Sequence, residues 1–249
     1  MNLHGLWFLF LVPVLLLILR SAWFKGKLGE FKVNFGVRLL LDRGVYRLIK
    51  NLTLPVGDGT TQIDQLVISP YGIFVIETKN MKGWIFGSPN QAQWTQQIYR
   101  YKQKFQNPLR QNYKHVAAVR ELLSLGPHQV YNVVVFVGDC TLKTPMPAEV
   151  VHGVFALTKF IKSKRVPLLA EFELPGHIDS LLNHRLHPGL RTNLTHVRNV
   201  KRQASSNEVG AEVCPRCGAV MVERTNKGSG ERFLGCRRYP RCKGARPLP

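Results

Sequence analysis

Acid is what this chain has least of. Its 249 residues hold 15 Asp and Glu against 35 Lys and Arg, a formal net charge of +20. A surface that lopsided excludes an ordinary near-neutral exterior. It points to a polyanionic partner, either nucleic acid or an anionic membrane surface. Cysteine is also scarce, with five in all and none before Cys140. Four of them crowd the tail at Cys214, Cys217, Cys236 and Cys242. A disulfide framework spreads its cysteines through a small secreted domain, so that class is excluded and a metal pattern in a reducing compartment is favoured. Cys140 follows an apolar strand and reads as a packed thiol. No internal repeat is visible, which leaves out repeat architectures. Apolar residues are not scarce: at 45% they suffice for a buried core.

Positive charge is missing at the very start as well. Residues 1–5 carry no Lys or Arg, whereas Arg20, Lys25 and Lys27 follow the uncharged run Leu6–Leu19. A secretory signal peptide would have its positive charge ahead of the apolar run. The run extends through Ala22, Trp23 and Phe24 to about the 20 residues a bilayer needs. It therefore predicts a transmembrane signal-anchor over residues 1–24. The chain would be single-pass in the inner (cytoplasmic) membrane, with the bilayer as partner and the C-terminal domains in the cytoplasm.

The rest reads as two domains and a linker. Leu28, Phe31, Phe35 and Leu39 recur at helical spacing within Gly26–Leu41. Strands are expected over Val45–Leu54, Thr61–Ser69 and Gly72–Glu77. The second and third form a hairpin about Pro70-Tyr71-Gly72, and the third is apolar nearly throughout, as central strands are. A small outer hairpin follows over Lys82–Trp94. Then come a helix over Asn107–Leu125, a buried strand over Val130–Val137, and a last strand over Val150–Phe155. Thr158–Ile161 and Ile178–Leu186 read as helical. Residues 187–211 lose the apolar period and read as a basic linker.

Chemistry gathers in the middle domain. Antiparallel neighbours can bring Asp64 and Glu77 together at one sheet end, and alternation puts Lys79 on the same side as Glu77. Two carboxylates beside a lysine form a site for a hard cation. Mg²⁺ takes one or two carboxylates, several waters and phosphate oxygens, and activates water at a phosphodiester. Lys79 would orient that water or stabilise the phosphorane, and Glu30 would complete the set or hold a water. The competing reading is a solvated ion pair of little weight.

Several segments resemble the nuclease-related domain (NERD) family. They are Gly29-Glu30, Ile63 to Ser69, Gly72 to Asn80, Gly83 to Gly87, and Asn107-Pro108-Leu109-Arg110-Gln111. That family is similar to the PD-(D/E)xK nucleases. The resemblance implies an α/β, restriction-endonuclease-like domain over 25–186, its core at 25–140, with a central mixed sheet flanked by helices. It matches Asp64, Glu77 and Lys79 to the catalytic motif, Glu30 to the helix-one acid, and Gln111 to a polar position on the helix after the sheet. Read without the family, Gln111 is a helix-capping or turn-bonding amide near Pro108. Ile63 stands where a proline is frequent in the wider superfamily.

In the tail, the spacing is Cys-x₂-Cys-x₁₈-Cys-x₅-Cys. Four thiolates suit a closed, structural Zn²⁺ site, and a module this short has too little core to fold without metal. An iron–sulfur cluster or a redox dithiol is the alternative. Residues 212–249 also resemble the topoisomerase-type C4 zinc ribbon, through Cys214-Pro215-Arg216-Cys217-Gly218, Gly235-Cys236, Tyr239-Pro240 and Cys242-Lys243-Gly244. That resemblance implies single-stranded nucleic-acid binding. Phe233 and Tyr239 would stack on bases while Arg237, Arg238, Arg241 and Lys243 meet phosphates. Phe233 has a second reading, as part of the ribbon's small core. Together these readings predict a membrane-anchored nuclease of DNA, with structural Zn²⁺ and catalytic Mg²⁺ or Mn²⁺. The alternative is a non-catalytic, membrane-tethered DNA-binding accessory protein.

Overall fold

The computed structural model describes residues 13, 16, 17, 19–57, 59–186, 214, 216, 217, 219, 221–226 and 231–247. They fall into two compact units, Met1–Pro188 and Gly189–Pro249, each taken by itself. In chain order the first unit runs α1 (Ala22–Leu40), β1 (Arg47–Val56), β2 (Gly59–Ser69), β3 (Gly72–Asn80), β4 (Gly83–Phe86), β5 (Gln93–Ile98) and β6 (Tyr101–Gln106). It continues through α2 (Pro108–Leu123), β7 (Val130–Val137), β8 (Cys140–Leu142), β9 (Val150–His152), α3 (Val154–Ser163) and α4 (Leu174–Asn183).

A mixed sheet in the order β1-β2-β3-β7-β9 forms the centre. The β1-β2-β3 meander is antiparallel, while β7 pairs parallel to β3 and β9 parallel to β7. β3 earns its central place by composition: Gly72 to Glu77 are all buried. Alternation sends its side chains into two cores. Ile73 and Val75 join Leu66, Ile68, Val116, Val119 and Leu181, the layer of α2 and α4. Phe74 and Ile76 join Val67, Val33, Val37, Leu157 and Ile161, the layer of α1 and α3.

The apolar repeat that signals α1 turns out to be its outward face. Phe31, Phe35 and Leu39 are 60–70% exposed, and the buried stripe is Val33 and Val37. Two glycines explain the choice. A Cβ at Gly36 would lie 2.1 Å from Val154 Cγ1, and one at Gly29 would lie 2.8 Å from Asn80 Cβ. Only a face without side chains there lets the helix come this close to α3 and to the end of β3.

Among the described residues no helix is long and apolar enough to cross a membrane. This corrects the transmembrane anchor expected over residues 1–24, and with it the single-pass inner (cytoplasmic) membrane placement and the bilayer as partner. The apolar extension over Ala22, Trp23 and Phe24 opens α1, which goes on to carry Lys25, Lys27, Glu30, Lys32 and Arg38 and packs one stripe on the sheet. A spanning helix would be apolar all round. Most of Leu6–Leu19 and the linker 187–211 lie outside the described residues.

The hairpin expected over Lys82–Trp94 is part of a second, four-stranded sheet, β6-β5-β4-β8. Its inner face holds Ile85, Trp94 and Phe105 against Val134 and Phe136 of the central sheet. Trp94 stacks on Phe136 with ring centroids 6.1 Å apart. Cys140 is buried in the same core. Burial, then the charge of Asp139, pushes its thiol up to about 11, so it stays protonated at neutral pH, as a packed thiol should. The strand expected over Val150–Phe155 stops at His152, because Val154 opens α3.

Asn107 joins the second sheet to α2. Its Oδ1 accepts from Leu109 N–H at 2.9 Å and caps the helix ahead of Pro108. Its Nδ2 donates to the carbonyls of Ser88, Pro89 and Gln91. The side chain is fully buried, so its removal strands those carbonyls as well as the helix end.

The second unit contains a three-stranded antiparallel sheet of β10 (Met221–Thr225), β11 (Arg232–Cys236) and β12 (Ala245–Pro247). Its core is small: Met221, Cys214 and Cys236, with Ala219 and Leu234 against them.

Asn107→Ala should destabilise the first unit by about 2–4 kcal/mol. The fall in the urea midpoint, at unchanged slope, measures it.

Candidate active site and metal centre

β3 ends its apolar run on Glu77, Thr78 and Lys79, and the two charged residues share the face that α2 covers. Glu77 is 6% exposed at its side chain, too buried to carry a charge alone. Lys79 Nζ lies 2.7 Å from its Oε1, and His115 Nε2 lies 3.8 Å from its Oε2. Lys79 is held in turn by Gln111, whose Oε1 accepts from Nζ at 2.9 Å. His115 is held by Thr61, with Nδ1 and Oγ1 2.6 Å apart. Gln111 and His115 stand four apart on α2, so one face of the helix delivers both.

A buried amide seats that helix. Asn112 Nδ2 donates to the carbonyls of Val75 and Val133 and to Asn132 Oδ1, at 2.8–3.2 Å. These contacts reach both β3 and β7, so α2 cannot shift relative to Glu77 without breaking them.

Asp64 stands on β2 beside this group. Burial first, then the negative charges of Glu77 and Glu30, pushes its carboxyl up to about 7. The Thr78 backbone N–H and the Lys79 ammonium pull the other way. On the opposite face, Thr78 Oγ1 donates to Gln65 Oε1 at 2.8 Å, and Gln65 Nε2 donates to the Glu30 carbonyl at 3.4 Å. This ties α1 to the strand that carries Asp64. The Glu30 carboxylate itself is paired with Lys27 at 2.8 Å.

The structure thus brings together Asp64, Glu77, Lys79 and Gln111. Glu30 stays one step outside, near enough to act on Asp64 through its charge. Gln111 is not the cap of α2; Asn107 is. Sequence reasoning missed His115 and Thr61. The available signal was the i+4 spacing of His115 from Gln111, which places it on the same helix face.

In the second unit the four cysteine sulfurs lie within 4.8 Å of one another. Cys214 Sγ and Cys242 Sγ are 3.8 Å apart, and Cys217 Sγ and Cys236 Sγ 3.5 Å. Tetrahedral Zn–S bonds of about 2.3 Å put sulfurs about 3.8 Å apart, so the set fits one zinc ion. A Cβ at Gly244 would fall 2.3 Å from Cys214 Sγ, so only glycine leaves room for the ligand. Phe233 is not part of the small core. It lines a depression of about 590 Å³ with Arg224, Tyr239 and Lys243. Arg224 lies over the Tyr239 ring, 5.4 Å from its centroid. Arg237, Arg238, Arg241 and Lys243 are exposed. Among the described residues the cysteines are the only group of three or more His, Cys, Asp or Glu ligands this close. Asp64 and Glu77 therefore offer two carboxylates, without a third such ligand.

Two family models match the chain. Residues 25–137 match the nuclease-related domain (NERD) model. Those residues are a nuclease-related domain. Asp64, Glu77, Lys79, Gln111 and His115 all lie inside the NERD match. Residues 211–249 match the topoisomerase DNA-binding C4 zinc finger, so the second unit carries a topoisomerase-type C4 zinc ribbon. An uncharacterized protein of Bacillus anthracis is 50% identical over 102 residues, 40% of this chain and 47% of that protein. The match spans less than half of that protein's length. No solved structure matches the chain.

Asp64 gives a pH test. A carboxyl raised in the folded state is costly to ionise there, so the metal-free protein loses stability as pH rises from about 4 to about 7. Asp64→Asn removes that cost. In chelator, the variant should melt several degrees above the parent at pH 8, roughly 2–4 °C per kcal/mol. The gap should shrink as pH falls through 7 towards 4.

Zinc removal tests the ribbon. A strong chelator should release about one zinc per chain and abolish amide protection in β10 and β11, leaving the melting of the nuclease-related domain unchanged. Cys236→Ser should reproduce this without chelator.

Proposed function

We propose that the nuclease-related domain is a divalent-metal-dependent phosphodiesterase acting on DNA, and that the zinc ribbon binds single-stranded nucleic acid. The observation that carries the first half is the pairing of two carboxylates with opposite settings. Glu77 is charge-balanced by Lys79, whereas Asp64, beside it, is held back from ionising by burial and by neighbouring negative charge. Such a donor set gains from a cation. Asp64 and Glu77 would hold Mg²⁺ or Mn²⁺, each contributing carboxylate oxygen, with water and substrate phosphate completing the shell. The bound ion supplies a more acidic water and stabilises charge on the phosphate.

The side chains divide the remaining work. Lys79, held between Glu77 and Gln111, would turn to donate to a phosphate oxygen. Its own stem and the Gln111 amide limit its swing. His115, held by Thr61, keeps Glu77 oriented when Lys79 turns to substrate. Glu30 keeps the local potential negative, which favours cation entry at Asp64. The ribbon contributes an aromatic and cationic surface: Phe233 and Tyr239 for base faces, Arg237, Arg238, Arg241 and Lys243 for phosphates.

The test is a cleavage assay of the full-length, zinc-loaded chain on single- and double-stranded DNA with Mg²⁺ or Mn²⁺. Cleavage should require the divalent ion. Glu77→Ala and Lys79→Ala should each lower it by roughly 10²–10³-fold. Binding without cleavage in any metal, equal in parent and variants, would leave a non-catalytic DNA-binding protein.

A further inference from the structure

The second sheet of the nuclease-related domain has an outer face that the reaction does not use. β4 to β6 lie between the end of β3 and the start of α2, and β4 starts at Gly83, four residues past Lys79. Register defines the face. Thr141, Trp84, Gln97 and Lys102 form one cross-strand row, and Phe86, Thr95 and Lys104 form the next. Ile85, Trp94 and Phe105 alternate with them and point inward to the core.

This outer face is unusual for solvent. Trp84 is 48% exposed. Lys143 stands over its ring, 4.8 Å from the centroid. Lys102, Lys104 and Lys143 are exposed, and their neighbours in the rows are neutral amides and hydroxyls. The tip of the β5-β6 hairpin adds Tyr99 and Tyr101, 90% and 83% exposed, with Arg100 between them. At the Trp84 end lies a concavity of about 570 Å³, lined by Lys82, Trp84, Gln97, Tyr99 and Asp139 among others. The concavity itself is lined by one cation, Lys82, and one acid, Asp139; Arg100, Lys102, Lys104 and Lys143 make the surrounding face basic.

We infer that this face binds single-stranded nucleic acid, with Trp84 and Tyr99 stacking on unpaired bases and Lys102, Lys104 and Lys143 tracking the backbone. The inference deepens the reading of the domain as a nuclease and rests on it for the identity of the strand. Charge selects a polyanion. The exposed rings select one with free base faces, since the bases of a duplex are already stacked. Thr95 and Gln97 add polar groups between the lysines, and the Gln97 Nε2 donates to the Tyr99 carbonyl at 3.0 Å. β4 follows in the chain four residues after Lys79, so the face and the candidate active site belong to the same compact unit.

The experiment uses the full-length zinc-loaded chain in chelator mild enough to leave the ribbon intact, with fluorescein-labelled oligo(dT) and a duplex of equal length as probes. Trp84→Ala should weaken oligo(dT) binding about 5- to 100-fold and leave the duplex nearly unaffected. Lys102→Ala with Lys104→Ala should flatten the slope of log affinity against log salt by about 1–2. Photocross-linking of a thiothymidine strand should label peptides containing Trp84 or Tyr99 as well as the ribbon. Thermal melting checks that the outward-facing variants are folded, and Trp84→Phe should restore most of the affinity. Parent-like affinity in both variants, with cross-links confined to the ribbon, overturns the inference. So does equal weakening for the duplex. Hydrolysis of bis(p-nitrophenyl) phosphate, too small to reach the sheet, separates the two readings. It should be unchanged in these variants. If the parent fails to hydrolyse it and every DNA, the nuclease reading fails while the binding data still decide this one.

Discussion

A carboxylate buried at the end of a strand covered on both faces has to be balanced by groups brought to it from outside that strand. Glu77 is in that position, and much of the first unit is arranged around it. Lys79 comes from the same strand, two residues on. The second partner, His115, comes from α2, and so does the Gln111 amide that fixes Lys79. α2 is placed by Asn107 at its start and by Asn112 against the backbones of β3 and β7. Loss of any of these would leave Glu77 with a charge that the interior cannot solvate, a cost of several kcal/mol when one partner of a buried pair is removed. The packing of α2 and the chemistry of the site are therefore one constraint.

Asp64 shows the other side of the same arrangement. Burial disfavours the Asp64 charge first, and the negative charges of Glu77 and Glu30 add to that, against the opposing pull of Lys79. Two carboxylates a strand apart thus have different surroundings: Glu77 lies against the Lys79 ammonium, whereas Asp64 is desolvated and faces negative charge. If the pair holds a divalent cation as proposed, uptake of that ion would displace the Asp64 proton, and affinity for it would rise with pH.

The sequence made some of this plain and hid the rest. The run Gly72 to Glu77 announced a central strand because uninterrupted apolar residues fit only a strand covered on both faces. The cysteine spacing announced the ribbon because four thiolates at that separation have few other uses. Contacts between distant residues were hidden. Thr61 and His115 are 54 positions apart, and no local pattern links them. The outer sheet was partly visible as a hairpin, but its fourth strand is the three-residue β8, too short to carry a period of its own. α1 misled in a specific way. Its largest apolar residues face outward, and its contact face is Val33 and Val37 with Gly29 and Gly36, whose close approach hydropathy does not register. The N-terminal run was read as a continuous anchor, whereas its last residues open a helix whose charges belong to the domain surface.

The parallel pairing of β3 with β7 bears on how the chain is made. Val137 follows Asn80 by 57 residues, and at 5–20 residues per second the ribosome needs roughly 3–11 s to supply them. For that interval the most apolar strand of the nascent domain has β2 on one side and an open edge on the other. An edge of this kind is a template for pairing with another chain. Rapid closure of the intervening hairpins, β4 with β5 and β5 with β6, shortens the search for β7 once it emerges. The second sheet would then serve the nascent chain as a spacer, before its inner face packs on Val134 and Phe136 in the folded domain.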